Sequence, residues 1–243
     1  MASKKLNGIK AVLFDLDGTL LQAEMNEFIP TYIDGLSWHF ADVALHYTFC
    51  STFREAITAL LSGNGGSMTN EAFFLATLRQ RLGIDPGLFS ERLARYCADG
   101  LDNLKPFIHP LPLATQILEC CREHGFTVIL ATNPIFPRAL VDARLAWAGI
   151  GDFPFDLVTS FENTRYCKPD PRYFTDLLEE FGLLPSEAIM VGNDTEHDLA
   201  ARNVGIATFL VDTWLADRLY GDFETDYRGG HPELLQFLER VGG

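Results

Sequence analysis

The stretch AVLFDLDGTL, residues 11–20, ends an apolar run with two carboxylates one residue apart, Asp15 and Asp17, and then turns at Gly18. Two later apolar runs also stop at polar side chains: VILATN ends on Thr132 and Asn133, and MVGND ends on Asn193 and Asp194, with Asp198 four residues on. A further segment, YCKPDP, carries Lys168 just ahead of a helix start marked by Pro171. If the runs are strands of an open α/β sheet, their carboxyl ends share one edge, and four carboxylates, a hydroxyl and an ammonium meet there. Like charges packed at short range in a low dielectric cost several kcal/mol, so this set calls for a cation among them. Carboxylate oxygens with no His or Cys beside them suit Mg²⁺, which takes one or two protein carboxylates and fills its octahedron with phosphate oxygens. In such a setting the first carboxylate can attack phosphorus and form an aspartyl phosphate, splitting one hard displacement into two. The second, crowded by charge, suits a general acid and then a general base. The Thr hydroxyl, backbone N–H groups and Lys168 would hold the equatorial oxygens of the transition state.

The elements that must position these groups are legible in the hydrophobic pattern. Ile9–Asp15, Phe126–Thr132, Phe155–Ser160, Ala188–Asn193 and Ile206–Val211 are short, nearly continuous apolar runs, the pattern of strands buried on both faces of a parallel sheet. Helical segments alternate with them: Leu113–His124 stops at Gly125, a segment opened by Pro137 stops at Gly149, and one capped by Asp170 with Pro171 at its first position stops at Gly182. This alternation predicts a doubly wound α/β sheet with right-handed crossovers. Between Leu21 and Pro106 the alternation lapses and only helical spacing is found. Phe28, Ile29, Tyr32, Ile33, Leu36 and Phe40 mark one helix; Phe53, Ala56, Ile57 and Leu60 mark a second. After the breaker Ser62–Ser67 come a third over Thr69–Leu82 and a fourth capped by Asp85, with Pro86 first, to about Ala98. The expected division is a discontinuous α/β core, residues 1–21 and 106–243, with an all-helical cap inserted over 22–105.

Composition narrows the function classes. Nineteen basic against thirty-three acidic side chains give a formal charge of −14, and beyond Lys4 and Lys5 no basic cluster stands out, which argues against nucleic acid or an anionic membrane as partner. An anionic substrate is repelled at long range by such a chain, so a phosphate site needs its own concentrated positive charge. Hydrophobic residues at 47% and charged residues at 21% are globular values. The first apolar run is interrupted by Asp15 and Asp17 too soon for a signal peptide, and no run reaches the roughly 18 residues of a membrane span. Five cysteines, an odd number without paired metal spacing, predict structural thiols in a reduced, cytoplasmic protein. The sequence carries no signal for oligomeric state.

Taken in order, DLDGT, ATN, KPDP and VGND with Asp198 resemble the four motifs of the haloacid dehalogenase (HAD) superfamily. The resemblance covers Gly8–Pro30 and about Pro106 to Val211, and the helical insertion resembles that family's cap in position and helical character. It implies a Rossmann-like core and a phosphoric monoester hydrolase acting on a small soluble phosphorylated metabolite with Mg²⁺. By the same resemblance Asp15 is the nucleophile and a metal ligand, and Asp17 the acid/base whose backbone carbonyl reaches the metal. Thr132 binds the phosphoryl group with Asn133 beside it, and Lys168 neutralises nucleophile and phosphate. Asp194 ligates the metal, and Asp198 supports Lys168 or a metal-bound water. Members with an insertion at this point are similar to phosphoglycolate phosphatase and its relatives, whose cap closes over small phosphate esters. One departure is Pro134, which removes a backbone N–H from the loop after Thr132.

Four competing readings stand beside this one: a phosphomutase, a dehalogenase, a phosphoacceptor signalling module and a catalytically idle binding protein. Phosphomutases resembling this pattern often lack the residue that stands here as Thr19, and dehalogenases lack the second acid, here Asp17. A phosphoacceptor signalling module of the receiver type is typically about half as long and has no cap. His39, His46 and His109 are expected to be structural or solvent-facing, Arg54, Arg79 and Arg81 to be helix-surface charges, and Phe28, Trp38, Phe73 and Phe74 to pack.

Overall fold

The apolar run of the opening motif forms β1 (Ala11–Phe14), all four residues of which are buried. A computed structural model describes residues 8–63 and 65–242; Lys4, Lys5 and one residue of the Ser62–Ser67 breaker fall outside it. In chain order β1 is followed by β2 (Leu21–Ala23), α1 (Met25–Trp38), α2 (His46–Leu61), α3 (Asn70–Leu82), α4 (Pro86–Asp99) and β3 (Ile108–Pro110). Then come α5 (Ala114–Glu123), β4 (Thr127–Leu130), α6 (Arg138–Trp147), β5 (Leu157–Val158), α7 (Pro171–Phe181), β6 (Ala188–Gly192), β7 (Ala207–Val211), β8 (Tyr227–Gly229) and α8 (His231–Gly242).

Six strands form one parallel sheet in the order β5-β4-β1-β6-β7-β8. β1 lies centrally, Phe14 opposite Leu130 on one side and Val191 on the other, so the segments leaving β1, β4 and β6 emerge side by side. The strand period of two sends alternate side chains to opposite faces. Val12, Phe14, Val128, Leu130, Ile189 and Val191 pack with residues of α5, α6 and α8, whereas Ala11, Leu13, Ile129 and Met190 pack with Tyr173, Phe174, Leu177 and Leu178 of α7. Both faces are therefore covered, which is why these strands read as continuous apolar runs.

The local signals hold in detail. Thr69 and Asp85 cap α3 and α4 through their side chains, Asp170 caps α7, and Gly83 and Gly182 follow α3 and α7 in the left-handed conformation. After Asp194 the expected helix is instead a 3₁₀ segment, Leu199–Val204, ended by Gly205. The Asp198 side chain, in the capping position, is bonded to Lys168 and to the Asp194 N–H and gives the segment no cap. Four elements lie outside the expected pattern. β2 and β3 pair antiparallel at the two ends of the helical insertion, β8 adds a short edge strand, and α8 packs beside α5 against the sheet.

α1–α4 bury a largely aromatic interior, with Phe40, Phe49, Phe53, Phe74 and Phe89 in successive ring contacts. Of the residues expected to pack, Phe28 and Phe74 are buried, but Trp38 is exposed and stacks on His46. The insertion is tied to the rest by Asn70, buried at the start of α3, whose side chain donates to Thr164 Oγ1 at 3.1 Å and to the Tyr166 carbonyl at 3.3 Å. All five cysteines are free thiols, and burial pushes Cys167 up to about 12, in keeping with structural roles. No described helix is long and apolar enough to cross a membrane.

Candidate active site

Asp15 follows β1 directly, and its backbone N–H donates to the Val191 carbonyl at 2.9 Å, continuing the sheet ladder by one residue. The chain then reverses through Gly18, whose φ of +87° suits glycine and whose missing Cβ makes room for the Asn193 side chain. A Cβ at Gly18 would lie 2.1 Å from Asn193 Nδ2, so the turn after β1 and the turn after β6 are fitted to one another. Gly192 does the same for Asp198: a Cβ there would stand 2.1 Å from Asp198 Oδ2. The Thr132 carbonyl accepts hydrogen bonds from Tyr173 Oη at 3.0 Å and Thr159 Oγ1 at 2.9 Å, fixing the residue just beyond β4.

At the centre stands Lys168, 1% exposed, whose Nζ donates to Asp15 Oδ1 at 2.7 Å and to Asp198 Oδ1 at 2.6 Å. Asp198 Oδ2 accepts the backbone N–H of Asp194 at 2.9 Å. Asp194 Oδ1 in turn accepts the N–H groups of Glu196 at 3.0 Å and His197 at 2.9 Å. Asp15, Asp17, Thr132, Asn133, Lys168, Asp194 and Asp198 all line one cavity of about 490 Å³. The seven candidate site residues are therefore in one place. Asn133 differs from expectation in orientation, since its Nδ2 donates to the Lys168 carbonyl at 3.2 Å and so braces the lysine segment. The Pro134 carbonyl accepts a long hydrogen bond from Asn70, at 3.5 Å.

Burial acts to lower the Lys168 ammonium, but the Asp15 and Asp198 carboxylates outweigh it and hold the group above its ordinary value. Burial raises Asp198, with Lys168 opposing. Burial also raises Asp17, against the pull of the Arg144 guanidinium. For Asp194 burial acts upward, but the bond from the His197 N–H and the charges of His197 and Arg218 bring it below the usual carboxylate range.

Three functional candidates escape sequence reasoning. Arg144 Nη1 donates to Asp17 Oδ2 at 2.5 Å, Arg218 Nε pairs with Asp194 Oδ2, and His197 Nδ1 lies 3.3 Å from the same oxygen. So the assumption of no histidine near the acids fails at His197, which lines the cavity. The charge argument changes too. With Lys168, Arg144 and Arg218 against four aspartates, the site carries about one net negative charge before any metal is counted. Conversely, Arg54, Arg79 and Arg81 stay away from the cavity, to which residues 22–105 contribute Gln22, Ala23, Met25, Ile29 and Leu61.

The model matching residues 9–205 of this chain describes a haloacid dehalogenase-like hydrolase. The chain belongs to the haloacid dehalogenase-like hydrolases. Among relatives of this hydrolase, pyrophosphatase PpaX of Bacillus velezensis is 28% identical over 82% of this chain and 82% of its own. A phosphoglycolate phosphatase of Vibrio vulnificus is 29% identical over 83% of this chain and 82% of its own. In fold the hydrolase is similar to a HAD phosphatase from Thermococcus onnurineus, with TM-score 0.58 and 26% identity over 95% of this chain and 98% of that one. The L-2-haloacid dehalogenase RSc1362, at TM-score 0.57 and 21% identity over 96% of this chain and 100% of that one, shares the fold.

Whether a divalent cation suits this hydrolase is decided by its donor atoms. Among the described residues no group of three or more His, Cys, Asp or Glu side chains is arranged to hold a metal. Two carboxylates line one cavity, Asp15 and Asp194, the latter with Oδ2 paired to Arg218, and they make a smaller oxygen set. Asp15 Oδ1 is taken by Lys168, which leaves Oδ2 as the carboxylate oxygen not bonded to the lysine. A hard cation that keeps several waters and takes few protein ligands fits such a set.

Proposed function

We propose that this hydrolase is a Mg²⁺-dependent phosphatase that cleaves small soluble phosphomonoesters through an aspartyl phosphate on Asp15. The observation that carries the reading is the Lys168 ammonium bonded to both Asp15 and Asp198 at the wall of a cavity that Asp17, Thr132 and Asp194 share. Lys168 holds Asp15 in one orientation through Oδ1 and leaves Oδ2 free to attack phosphorus. The Thr132 hydroxyl, without a hydrogen bond among the described residues, and Lys168 bind the transferring oxygens. Asp17 gives its proton to the leaving oxygen and takes one from the water that later attacks the acyl phosphate. Asp15, Asp194 and the Asp17 carbonyl would hold Mg²⁺, which supplies charge for binding a dianionic phosphoryl group and for the developing negative charge. With that ion the site changes from net negative to net positive, which a dianionic substrate needs in a chain of charge −14.

A cavity of about 490 Å³ suits a metabolite-sized ester. Residues 22–105 act as a cap over it, turning on the segments at Leu21–Ala23 and Asn103–Phe107 and excluding bulk water when closed. Relatives named for pyrophosphate and phosphoglycolate hydrolysis support a substrate of this size. The test is Asp15→Asn with a panel of metabolite phosphates and Mg²⁺. Hydrolysis should vanish, and ³²P from substrate should label the wild type in a hydroxylamine-sensitive form but not the variant. Normal turnover by Asp15→Asn, or full activity in EDTA, overturns the reading.

A further inference from the structure

Arg144 is fully buried although arginine is seldom buried unless paired. It stands on α6 in a stripe otherwise made of Leu140, Val141 and Leu145. A cation there is costly to desolvate, and an apolar side chain of similar volume would fill the space as well or better for stability alone. Its surroundings show what an apolar side chain could not do. Nη1 donates to Asp17 Oδ2, while Nε donates to the Leu140 carbonyl at 3.3 Å. The guanidinium carbon lies 4.7 Å from the Phe136 ring centroid and 5.8 Å from that of Phe28. Phe28 belongs to α1 and Phe136 to the loop before α6, and their rings meet edge to face at 5.8 Å. The guanidinium is thus walled by one aromatic from each side of the junction between core and insertion. Asp17 Oδ1 is buried and has no partner, so the arginine is the only polar anchor of the Asp17 carboxylate among the described residues.

We infer that Arg144 is a positioning residue for Asp17: it fixes the orientation of that carboxylate toward the substrate's leaving oxygen without touching substrate itself. Arg144 is absent from the cavity wall, whereas Asp17 is part of it. The inference rests on the reading of Asp17 as acid/base. Phe28 makes the anchor depend on the docked position of α1, so the orientation of Asp17 and the seating of the insertion are linked.

The test compares Arg144→Met and Arg144→Lys with Asp17→Asn on two Mg²⁺-supported substrates, p-nitrophenyl phosphate and an alkyl phosphate such as phosphoglycolate. A nitrophenolate leaves without protonation, whereas an alkoxide needs a proton. Because Asp17 also serves the later hydrolysis of the aspartyl phosphate, which both esters share, the comparison is made in kcat/KM, which ends at departure of the leaving group. Arg144→Met should lower kcat/KM for the alkyl ester by about 10–100-fold, short of the roughly 10²–10⁴-fold of a lost acid, and that for the aryl ester far less. Arg144→Lys should fall between, and Arg144→Met/Asp17→Asn should be no slower than Asp17→Asn alone. A purely structural arginine would slow both esters equally. If Asp17→Asn is selectively impaired while Arg144→Met and Arg144→Lys slow both esters alike or neither, the role of Arg144 is overturned and that of Asp17 stands. If Asp17→Asn keeps full alkyl activity, the reading of Asp17 falls and this inference with it. Independently of turnover, a crystal structure of Arg144→Met with the Asp17 carboxylate unmoved overturns the inference.

Discussion

Replacing Lys168 by methionine isolates the electrostatic centre of the fold. The side chain is of similar length, so the main loss is an ammonium bonded at 2.7 Å to Asp15 and at 2.6 Å to Asp198. Breaking a buried ion pair from one side typically costs about 3–5 kcal/mol, because a charge is left without compensation. Two carboxylates are stranded here, both at the cavity wall, and Asp15, 8% exposed, takes up water more readily than Asp198, 1% exposed. The low end of that range is therefore expected, about 3 kcal/mol, which for a chain of this size lowers Tm by roughly 6–12 °C. Circular dichroism melts at several pH values provide the assay. Lys168 is the largest influence opposing burial at Asp198, so its removal raises that carboxyl further in the folded state. A raised folded pKa means stability that is intact below the unfolded value, about 3.9, and lost as pH rises through the folded one. The Tm gap to wild type should thus be widest near pH 8 and narrow as the solution is acidified. Adding Asp198→Asn should recover part of the loss at pH 8. A Lys168→Met protein that melts within about 2 °C of wild type, or a gap independent of pH, would refute the reasoning.

Thr132→Val removes a hydroxyl that makes no bond in the folded chain, so Tm should hold while kcat/KM falls about 10–100-fold, as for one lost hydrogen bond to a charged group; unchanged kinetics would deny it a phosphoryl contact. Asn70→Ala strips donors from the Thr164 hydroxyl and the Tyr166 carbonyl and should cost about 2 kcal/mol, or roughly 4–8 °C in a thermal melt. His231, buried with Nε2 donating to the Thr19 carbonyl at 2.9 Å, is held below its ordinary pKa by burial. A depressed histidine stabilises above the unfolded value, about 6.5, and that contribution is lost as pH falls through the folded value. His231→Gln should accordingly flatten the decline of Tm between pH 7.5 and 5.5, and an unaltered slope would count against it.

What could be read from residues alone follows from where the physics is local. β1, β4, β6 and β7 are apolar on both faces, and their polar terminal residues mark the edge where Asp15, Thr132 and Asp194 meet. The caps at Thr69, Asp85 and Asp170 and the stops at Gly83 and Gly182 depend only on neighbouring residues. β8 has three residues with no apolar run, so its pairing with β7 is a tertiary event. α8 was legible in the spacing of Leu234, Phe237 and Leu238, but it lies beyond the last motif. Arg144 also left a trace, as the one cation in an apolar stripe. Arg218 left none. It reaches Asp194 because the Ala216 N–H bonds the Asn193 carbonyl and the Thr195 N–H bonds the Ala216 carbonyl, a loop closure no periodicity announces.

The small ribbon made by Leu21–Ala23 and Ile108–Pro110 brings the polypeptide back to where it departed, Ala23 opposite Ile108 and one strand spacing, ~4.8 Å, away. A segment whose two ends meet so closely can be exchanged like a cassette: a foreign insertion grafted between those ends leaves the strand order β5-β4-β1-β6-β7-β8 unbroken. The graft inherits two obligations, an aromatic where Phe28 stands, whose ring walls Arg144, and an amide where Asn70 reaches Thr164 and Tyr166.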